Sequence, residues 1–388
     1  MENLLLLLNK ISEVSPLGVF NQEVIVVQNA GMQHWLNLAI AKERGISMNM
    51  CYVLPAQYLW KLIRTIASDD NVPEQSPYSR EVLTWRIYAL LATEQVIEDT
   101  DFSPATQYWQ QTRTDKIFSS HENLKRYQLA QQMADLYEQY LIFRPQWLDS
   151  WQKDDRLTVL SSDNKWQAKL WRLLIKQLPY NPVELLNDAI SNIESKLLVD
   201  PLILPKRLSF FGINSMAPLW LTFINALSDY IEVNFFHLNP CFSYWGDIIS
   251  EKQAFDKLSH WSHGVDDTHI FIGNPLLANL GQQGREFLAL LQDYSTVDVE
   301  LFVEASVETS SQNDDSEQKP IQHILHHLQN DILTLNDATQ TPIKQIDDSV
   351  TIVSCHSALR EVQALHDYLL HQFNNSASND KSKKDRLT

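Results

Sequence analysis

The sequence predicts an α/β fold built on a parallel sheet. Residues 24–28 form a short, continuous apolar run of the kind that buried parallel strands show, and strand character returns at 207–213 and 231–237. A helical segment separates the last two strands and gives a strand–helix–strand crossover of the length that a parallel sheet needs. With 388 residues, the chain is long enough for two or three domains and a large buried core.

Apolar periodicity predicts the helices. Residues 4–11 and 32–42 form predicted helices on either side of the first strand. A long, mostly helical region runs from about residue 79 to residue 198, and prolines interrupt it at positions 104, 145 and 182. We interpret this region as a helical insertion between the strands.

The last part of the chain is mostly polar. Residues 305–319 lack apolar periodicity, which predicts a mobile loop. A further strand is predicted at 350–354 and a helix at 359–373, and the tail from Asn374 is expected to fray. Four parts are predicted: the first part of the α/β domain (1–75), the helical insertion (76–200), the second part of the α/β domain (201–345), and the start of a second α/β domain with its tail (346–388).

The bulk composition restricts the function. A formal net charge of -17 argues against a surface that wraps a phosphate backbone, so any nucleic-acid contact is expected to be local. The three cysteines lack metal-ligand spacing, which disfavours zinc and disulfides. The longest apolar run, residues 4–8, is too short for a signal peptide or a membrane span. We therefore expect a cytoplasmic protein without a membrane partner.

The motifs of a motor are absent. A phosphate-binding loop needs Gly before Lys and then Ser or Thr, and none of the nine glycines precedes a lysine. The strand at 207–213 is followed by Asn214, where a motor would place a magnesium-binding acid. The sequence therefore predicts no ATPase site, and no cofactor is expected in this chain.

Other catalytic patterns are equally unsupported. No carboxylates, for example Asp247, have a recognisable nuclease spacing. His323, His326 and His327 share a helical face without an evident further ligand, so a solvated face is favoured over a metal site. Cys355 and His356 are adjacent on or after the predicted strand and would point to opposite faces. We expect no catalytic or metal site.

The helix predicted at 123–143 has an amphipathic pattern. Its buried stripe is predicted to consist of Leu129, Met133, Leu136, Tyr140 and Phe143. Asp135, Glu138 and Gln139 fall together on a different side. From the residues themselves, this polar side is either an ordinary solvated face or a functional one.

Six motifs occur in one order along most of the chain. They are Val-Ile-Val-Val-Gln-Asn-Ala-Gly-Met-Gln-His-Trp-Leu (24–36), Val-Leu-Pro-Ala-Gln-Tyr-Leu-Trp (53–60), Phe-Arg-Pro-Gln-Trp-Leu (143–148), Asn-Pro-Cys-Phe-Ser-Tyr-Trp-Gly-Asp-Ile (239–248), Gly-Asn-Pro-Leu-Leu-Ala (273–278), and Cys-His-Ser followed by Arg-Glu-Val (355–362). With them the chain resembles the RecC family, the gamma subunit of bacterial exodeoxyribonuclease V. The resemblance implies a P-loop-NTPase-like sheet, an inactive superfamily-1 helicase domain 1A with a 1B-like insertion. It also implies an amino-terminal part of a much longer protein.

The resemblance assigns a role to the amphipathic helix. In the RecC family this helix lines the tunnel where the unwound 3'-ended strand is scanned for the Chi sequence. The matching positions here are Leu54, Trp60, Asp135, Leu136, Glu138, Gln139 and Arg144. Acid, amide and guanidinium side chains suit base-edge contacts. Glu138 is longer than the acid that some family members carry, so the sequence preference is expected to differ.

Aromatic residues offer a second kind of contact with DNA, because bases stack on exposed rings. Of the eleven tryptophans, those at 85, 147, 151, 166 and 171 are predicted to be core residues, and Trp60 is the exception because of its motif. The loop at 239–247 follows a strand, and packing and binding remain open as its role.

The resemblance implies a non-catalytic, DNA-guiding subunit. RecB-like and RecD-like partners would complete a heterotrimer and would hold ATP and Mg²⁺, and single-stranded DNA and duplex ends would be the substrates. Two alternatives remain: an active superfamily-1 helicase or nuclease, and a truncated fragment that binds nothing.

Overall fold

The computed structural model forms two compact units, Met1–Asn239 with Leu280–Phe302, and Pro240–Asn279 with Val303–Thr388. It describes residues 1–67, 72–74, 76–110, 118–153, 165–177, 182–195, 204–250, 252–255, 273–294, 296–302, 323–337 and 347–384.

A four-stranded parallel sheet lies at the centre of the first unit. Its strands are β1 (Glu23–Val27), β2 (Met50–Val53), β3 (Arg207–Phe211) and β4 (Glu232–Phe236). They are arranged in the order β2-β1-β3-β4, and every neighbouring pair is parallel. The predicted α/β class with a parallel sheet is confirmed, and β2 is a strand that the sequence pattern did not indicate.

Helices account for most of the remaining described residues. The first unit contains α1 (Glu2–Val14), α2 (Ala30–Arg44), α3 (Pro55–Ala67), α4 (Arg80–Leu90), α5 (Glu94–Ile97), α6 (Ser103–Trp109), α7 (Ser120–Phe143), α8 (Pro145–Lys153), α9 (Lys165–Lys176), α10 (Pro182–Glu194) and α11 (Pro218–Leu227). Helix α12 (Pro275–Leu280) spans the boundary between the units, and α13 (Gln282–Gln292) returns to the first. The second unit contains α14 (Ile324–Leu333) and α15 (Ala358–Lys384). None of the described helices combines the length and apolar composition needed to cross a bilayer.

Three apolar cores hold the first unit together. Alternate residues of a strand face opposite sides of a sheet, so Val24 and Val26 pack with α3, α10 and α11, while Ile25 and Val27 pack with α1 and α2. A separate core lies among the helices from α4 to α9. Trp171 is one of the large, fully buried residues of this core. The sheet and the helical region therefore bury their apolar surfaces largely independently.

A buried arginine links the amino-terminal ends of three strands. Arg207 opens β3 with a side chain that is 0% exposed, and its Nη1 lies 3.1 Å from the Glu23 carboxylate at the start of β1. Its Nε lies 2.9 Å from the Glu232 carboxylate at the start of β4. Its other amino group donates a hydrogen bond to the Ser15 carbonyl. Burial raises the pKa of Glu23 despite this ion pair.

The carboxyl-terminal predictions need correction. Residues 350–354 form no strand, and most of their side chains are exposed. A strand needs a partner for its backbone groups, and no described segment pairs with this one. The tail from Asn374, predicted to fray, continues α15 to Lys384. The predicted mobile loop at 305–319 lies outside the described residues.

Candidate nucleic-acid interface

Helix α7 carries most of the predicted site residues. The Ser119 hydroxyl accepts a hydrogen bond from the Glu122 backbone N–H at 3.2 Å, and the Glu122 carboxylate accepts one from the Ser119 backbone N–H at 2.8 Å. This reciprocal capping box satisfies two free donors and defines where the helix begins. It places the start of α7 three residues before the predicted one.

The apolar stripe predicted on α7 is partly wrong. Met133 is buried as predicted, but Leu129, Leu136 and Tyr140 are half-buried at the edge of the helical core, and Phe143 is 51% exposed. The buried face consists of Arg126, Ala130, Met133, Ala134 and Tyr137. Small side chains allow helix axes to approach closely, and α4 packs along this part of α7. The buried face of α7 is therefore rotated about the helix axis, relative to the face that its largest apolar residues predict.

Helices α4 and α7 run antiparallel and form a seam. Near one end, Arg80 Nη1 lies 3.4 Å from Asp135 Oδ1. Farther along, the rings of Trp85 and Tyr127 are 5.4 Å apart. We call the line of Arg80, Trp85 and Tyr88 on α4, with Asn123, Tyr127, Asp135 and Glu138 on α7, the α4–α7 seam.

The polar residues of the predicted site lie at one end of the seam. Asp135 pairs with Arg80 and accepts a hydrogen bond from Gln139 Nε2 at 3.4 Å. Glu138 is half-buried, and burial raises its pKa; nearby Arg80 opposes this shift, and Asp135 adds to it. The three residues share one region as predicted. The Arg80 pairing leaves Asp135 less free than an isolated solvated acid.

Leu136 and Arg144 have different surroundings. Leu136 packs against the helical core. Arg144 follows the last residue of α7, is exposed, and holds its guanidinium 5.8 Å from the centre of the Trp147 ring. An exposed guanidinium is able to contact a base or a phosphate.

Leu54 and Trp60 lie on different elements. Leu54 directly follows β2 and is exposed, whereas Trp60 lies on α3, is 7% exposed and donates from Nε1 to the Pro73 carbonyl at 3.1 Å. Such an indole presents almost no face to a base, so stacking on Trp60 has no support in this conformation. Within the described part of the chain, no hydrogen bond or ion pair joins these two residues to the site residues on α7. Their contact with DNA stays a prediction.

The core prediction for tryptophans holds for three of the five. Trp151, Trp166 and Trp171 are buried, and Trp147 is half-buried. Trp85 is 61% exposed, so its prediction was wrong. The cause is its position on the outer side of α4, where it contacts other aromatic rings of the seam.

A buried arginine supports the aromatic part of the seam. Arg126 holds its guanidinium 4.0 Å from the centre of the Tyr88 ring and 5.0 Å from that of Phe118. Its Nη2 donates to Asn123 Oδ1 at 3.1 Å, and the Tyr88 hydroxyl donates to the same oxygen at 3.3 Å. This cluster was not predicted from the sequence. The signal was an arginine on a helix whose neighbouring segments are rich in aromatic residues.

The connection between β1 and α2 has no room for a phosphate-binding loop. Strand β1 ends at Val27 and α2 begins at Ala30. Asn29 Oδ1 accepts a hydrogen bond from the Met32 backbone N–H at 2.9 Å and caps the helix. A P-loop places a longer glycine-containing segment between strand and helix.

The loops after the sheet pack internally. Cys241, Trp245 and Ile248 are buried within the second unit. The carboxamide of Asn274 accepts hydrogen bonds from the backbone N–H groups of Leu276 and Leu277 at 3.0 and 3.1 Å and so caps α12. For the loop at 239–247, the burial of Cys241 and Trp245 favours packing over binding.

The histidine cluster has a structural partner. His323 Nδ1 lies 3.1 Å from Asp347 Oδ2, and the same carboxylate oxygen accepts a hydrogen bond from the Ile324 backbone N–H at 3.0 Å, at the start of α14. Hydrogen bonds from Ser349, and further ones from α14, lower the pKa of Asp347. In the part of the chain that the structure describes, no group of three or more His, Cys, Asp or Glu residues is arranged to hold a metal ion.

Comparison with known proteins gives one consistent match. The family model described as "RecC, N-terminal domain" matches residues 1–335. The chain is 31% identical to the RecBCD enzyme subunit RecC of Haemophilus influenzae, over 94% of this chain and 35% of that protein. It is 29% identical to the subunit of the same name in Escherichia coli, over 90% of this chain and 32% of that protein, and 23% identical to that of Mycolicibacterium smegmatis, over 90% and 29%. The chain thus spans about a third of the length of these relatives.

Proposed function

The chain belongs to the RecC family, and on that premise we propose that it forms the DNA-guiding, non-motor part of an ATP-dependent exodeoxyribonuclease and helicase complex. That complex would act in the repair of double-strand breaks by homologous recombination. The family match over residues 1–335 carries this proposal. Because the chain covers about a third of its relatives, the activity concerns a complex in which it is one part.

Two features support the non-motor role. None of the nine glycines precedes a lysine, and Asn214 lies three residues after the end of β3, where a motor would have an acid. We infer that the sheet is an inactive superfamily-1 helicase domain 1A and that the helices from α4 to α9, with their own core, correspond to a 1B-like insertion. This insertion is shorter than the predicted 76–200, because α10 packs in the core of the sheet. ATP and Mg²⁺ would then be bound by RecB-like and RecD-like partners in the cytoplasm.

The polar end of the α4–α7 seam is the proposed reading surface. Asp135 and Gln139 offer acceptor and donor groups about one helical turn apart, and their mutual hydrogen bond holds both side chains in one region. Arg144 adds an exposed guanidinium beyond the end of the helix. These groups suit the edges of single-stranded bases and, by the family resemblance, the detection of a Chi-like sequence.

The test uses this chain assembled with RecB-like and RecD-like subunits on duplex ends. Asp135→Ala, Glu138→Ala, Gln139→Ala and Arg144→Ala are introduced together, and sequence-dependent pausing of the complex is measured. Each lost base contact should reduce discrimination between sequences by ~1–3 kcal/mol. Gln139 and Arg144 are exposed, Asp135 and Glu138 are half-buried outside the helical core, and polar substitutions at such positions usually cost little, so the fold should persist.

The matched control replaces exposed polar residues on α2, as Gln33→Ala with Lys42→Ala. The control should pause like the unsubstituted complex. If the α7 variant pauses at the same sequences as the unsubstituted complex, the polar side of α7 is an ordinary solvated face. Failure of the unsubstituted chain to assemble would instead favour a fragment that binds nothing. DNA-stimulated ATP hydrolysis by the chain itself would revive the motor alternative.

A further inference from the structure

We propose that Trp85 and Tyr127 form a stacking platform for the bases of single-stranded nucleic acid, adjoining the reading surface on α7. The inference deepens the proposed function and rests on it. It assigns a contact to residues that the sequence motifs did not single out. The platform would take one or two bases irrespective of their identity, because every base has a π-face.

The ring of Trp85 is exposed enough for a base to stack on it. Trp85 is 61% exposed, although an aromatic ring of this size usually buries most of its surface in a helical domain. Its ring lies 5.4 Å from Tyr127 at 47° and 5.8 Å from Tyr88 at 85°. Tyr88 and Tyr127 are themselves 6.3 Å apart. Three mutually contacting rings thus support one exposed indole.

The platform is held in place from the protein side. The buried Arg126 guanidinium lies under Tyr88, and the Tyr88 hydroxyl donates to Asn123. A ring fixed before binding loses little conformational entropy when a base stacks on it, which favours affinity. An exposed tryptophan without such support would lose more conformational entropy on binding.

Local charge favours a polyanion at this end of the seam. Arg86 follows Trp85 on α4, and Lys125 lies two residues before Tyr127 on α7, so each ring of the platform has a cation close to it in sequence. Arg80 is paired with Asp135 and Arg126 is buried, so Arg86 and Lys125 are the cations next to the platform that phosphates could reach. Phosphates attracted here would place their bases on the adjoining aromatic rings.

Position along the seam connects the platform to the predicted reading residues. Trp85 lies between Tyr88 and Arg80 on α4, and Arg80 is paired with Asp135. A strand that follows the seam would meet the platform before or after the acid and amide groups. Stacking would hold the strand in register, and the polar groups would discriminate between bases.

The experiment measures binding of the 388-residue chain to a fluorescent oligothymidine at low ionic strength by anisotropy. The variants are Trp85→Leu, which removes the π-face, and Trp85→Phe, which keeps one. Phe20→Ala, which removes an aromatic side chain that is 98% exposed elsewhere in the first unit, is the matched control. A strand with the same number of phosphates but no bases is titrated in parallel.

We expect Trp85→Leu to weaken oligothymidine binding by about 5- to 100-fold and Trp85→Phe and Phe20→Ala to change it little. Trp85→Leu should leave binding of the abasic strand unchanged. Equal loss on both strands, or no loss on either, overturns the platform while leaving the proposed function intact. If no strand binds the unsubstituted chain, the inference also fails, and the pausing experiment in the assembled complex still decides the proposed function. Loss of association with a RecB-like subunit by Trp85→Leu, with strand binding unchanged, would identify a protein interface and would likewise refute the inference.

Discussion

Replacing Arg207 tests how the sheet is held together. Its side chain is 0% exposed, and it lies 3.1 Å from the Glu23 carboxylate, which is also buried. Arg207→Met keeps most of the volume and removes the charge, so Glu23 remains in the core without its main cation. Breaking a buried pair in this way costs ~3–5 kcal/mol.

The remaining contacts of Arg207 add little to this cost. The Glu232 side chain is 40% exposed, and solvent screening limits the loss of its ion pair to ~0–1 kcal/mol. The Ser15 carbonyl belongs to an exposed residue that water is able to reach. The predicted loss of unfolding free energy is therefore about 3–5 kcal/mol and comes mainly from Glu23.

Urea unfolding followed by circular dichroism measures this loss. The double variant Arg207→Met with Glu23→Gln should recover much of it, because no buried charge is left without a partner. Arg80→Met is the matched control, since its ion pair with Asp135 is about half exposed. If Arg207→Met costs as little as Arg80→Met, the strands do not depend on this buried pair and the reasoning is refuted.

Three further outcomes follow from the structure. Met133→Ala should lower the free energy of unfolding by ~2–5 kcal/mol, whereas Gln139→Ala should stay within ~0.5 kcal/mol; comparable losses in urea unfolding would contradict the assigned faces of α7. Burial raises the pKa of Glu23 above 4.5, so the folded chain holds this proton more tightly than the unfolded one. The contribution of this tighter proton binding to the unfolding free energy is fully present below pH 4.5 and is lost as the pH rises through the pKa of Glu23 in the folded chain. In Glu23→Gln, thermal unfolding measured across this pH range should therefore show a smaller loss of stability. The purified chain should not hydrolyse ATP with or without DNA, and turnover abolished by one substitution in this chain would show that a motor site was missed.

The sequence predicted the strands that are buried on both faces. All five residues of β1 and of β3 are buried, and such strands appear as apolar runs. Strand β4 lies at one sheet edge and was still predicted, because Val233 and Phe235 alternate with polar residues there; β2, at the other edge, has only four residues and too short a pattern to be recognised. The segment at 350–354 has strand-like residues, yet strand formation depends on a partner that local sequence does not reveal.

The sequence predicted the helix that carries the candidate site, but not which side chains are exposed there. Periodicity located α7, and the side that it turns inward depends on the burial of Ala130 and Ala134 and on the burial of Arg126. Trp85 was assigned to the core because large aromatic residues are usually buried. Trp85 lies at the surface of the α4–α7 seam, and its contact with Tyr127, which is distant in sequence, covers only part of the ring. Contacts of this kind follow from how helices pack, which composition and spacing do not determine.

The central claim is that single-stranded DNA passes along α7 in an assembled complex. The most direct measurement is photo-crosslinking of the 3'-ended strand during unwinding by this chain with RecB-like and RecD-like subunits, with benzoylphenylalanine replacing Gln139 in one preparation and Leu38 in another. Both positions are exposed, and Leu38 lies on α2. Crosslinks at position 139 and none at position 38 are the predicted result. Equal crosslinking at both positions, or crosslinking only at position 38, would contradict the account.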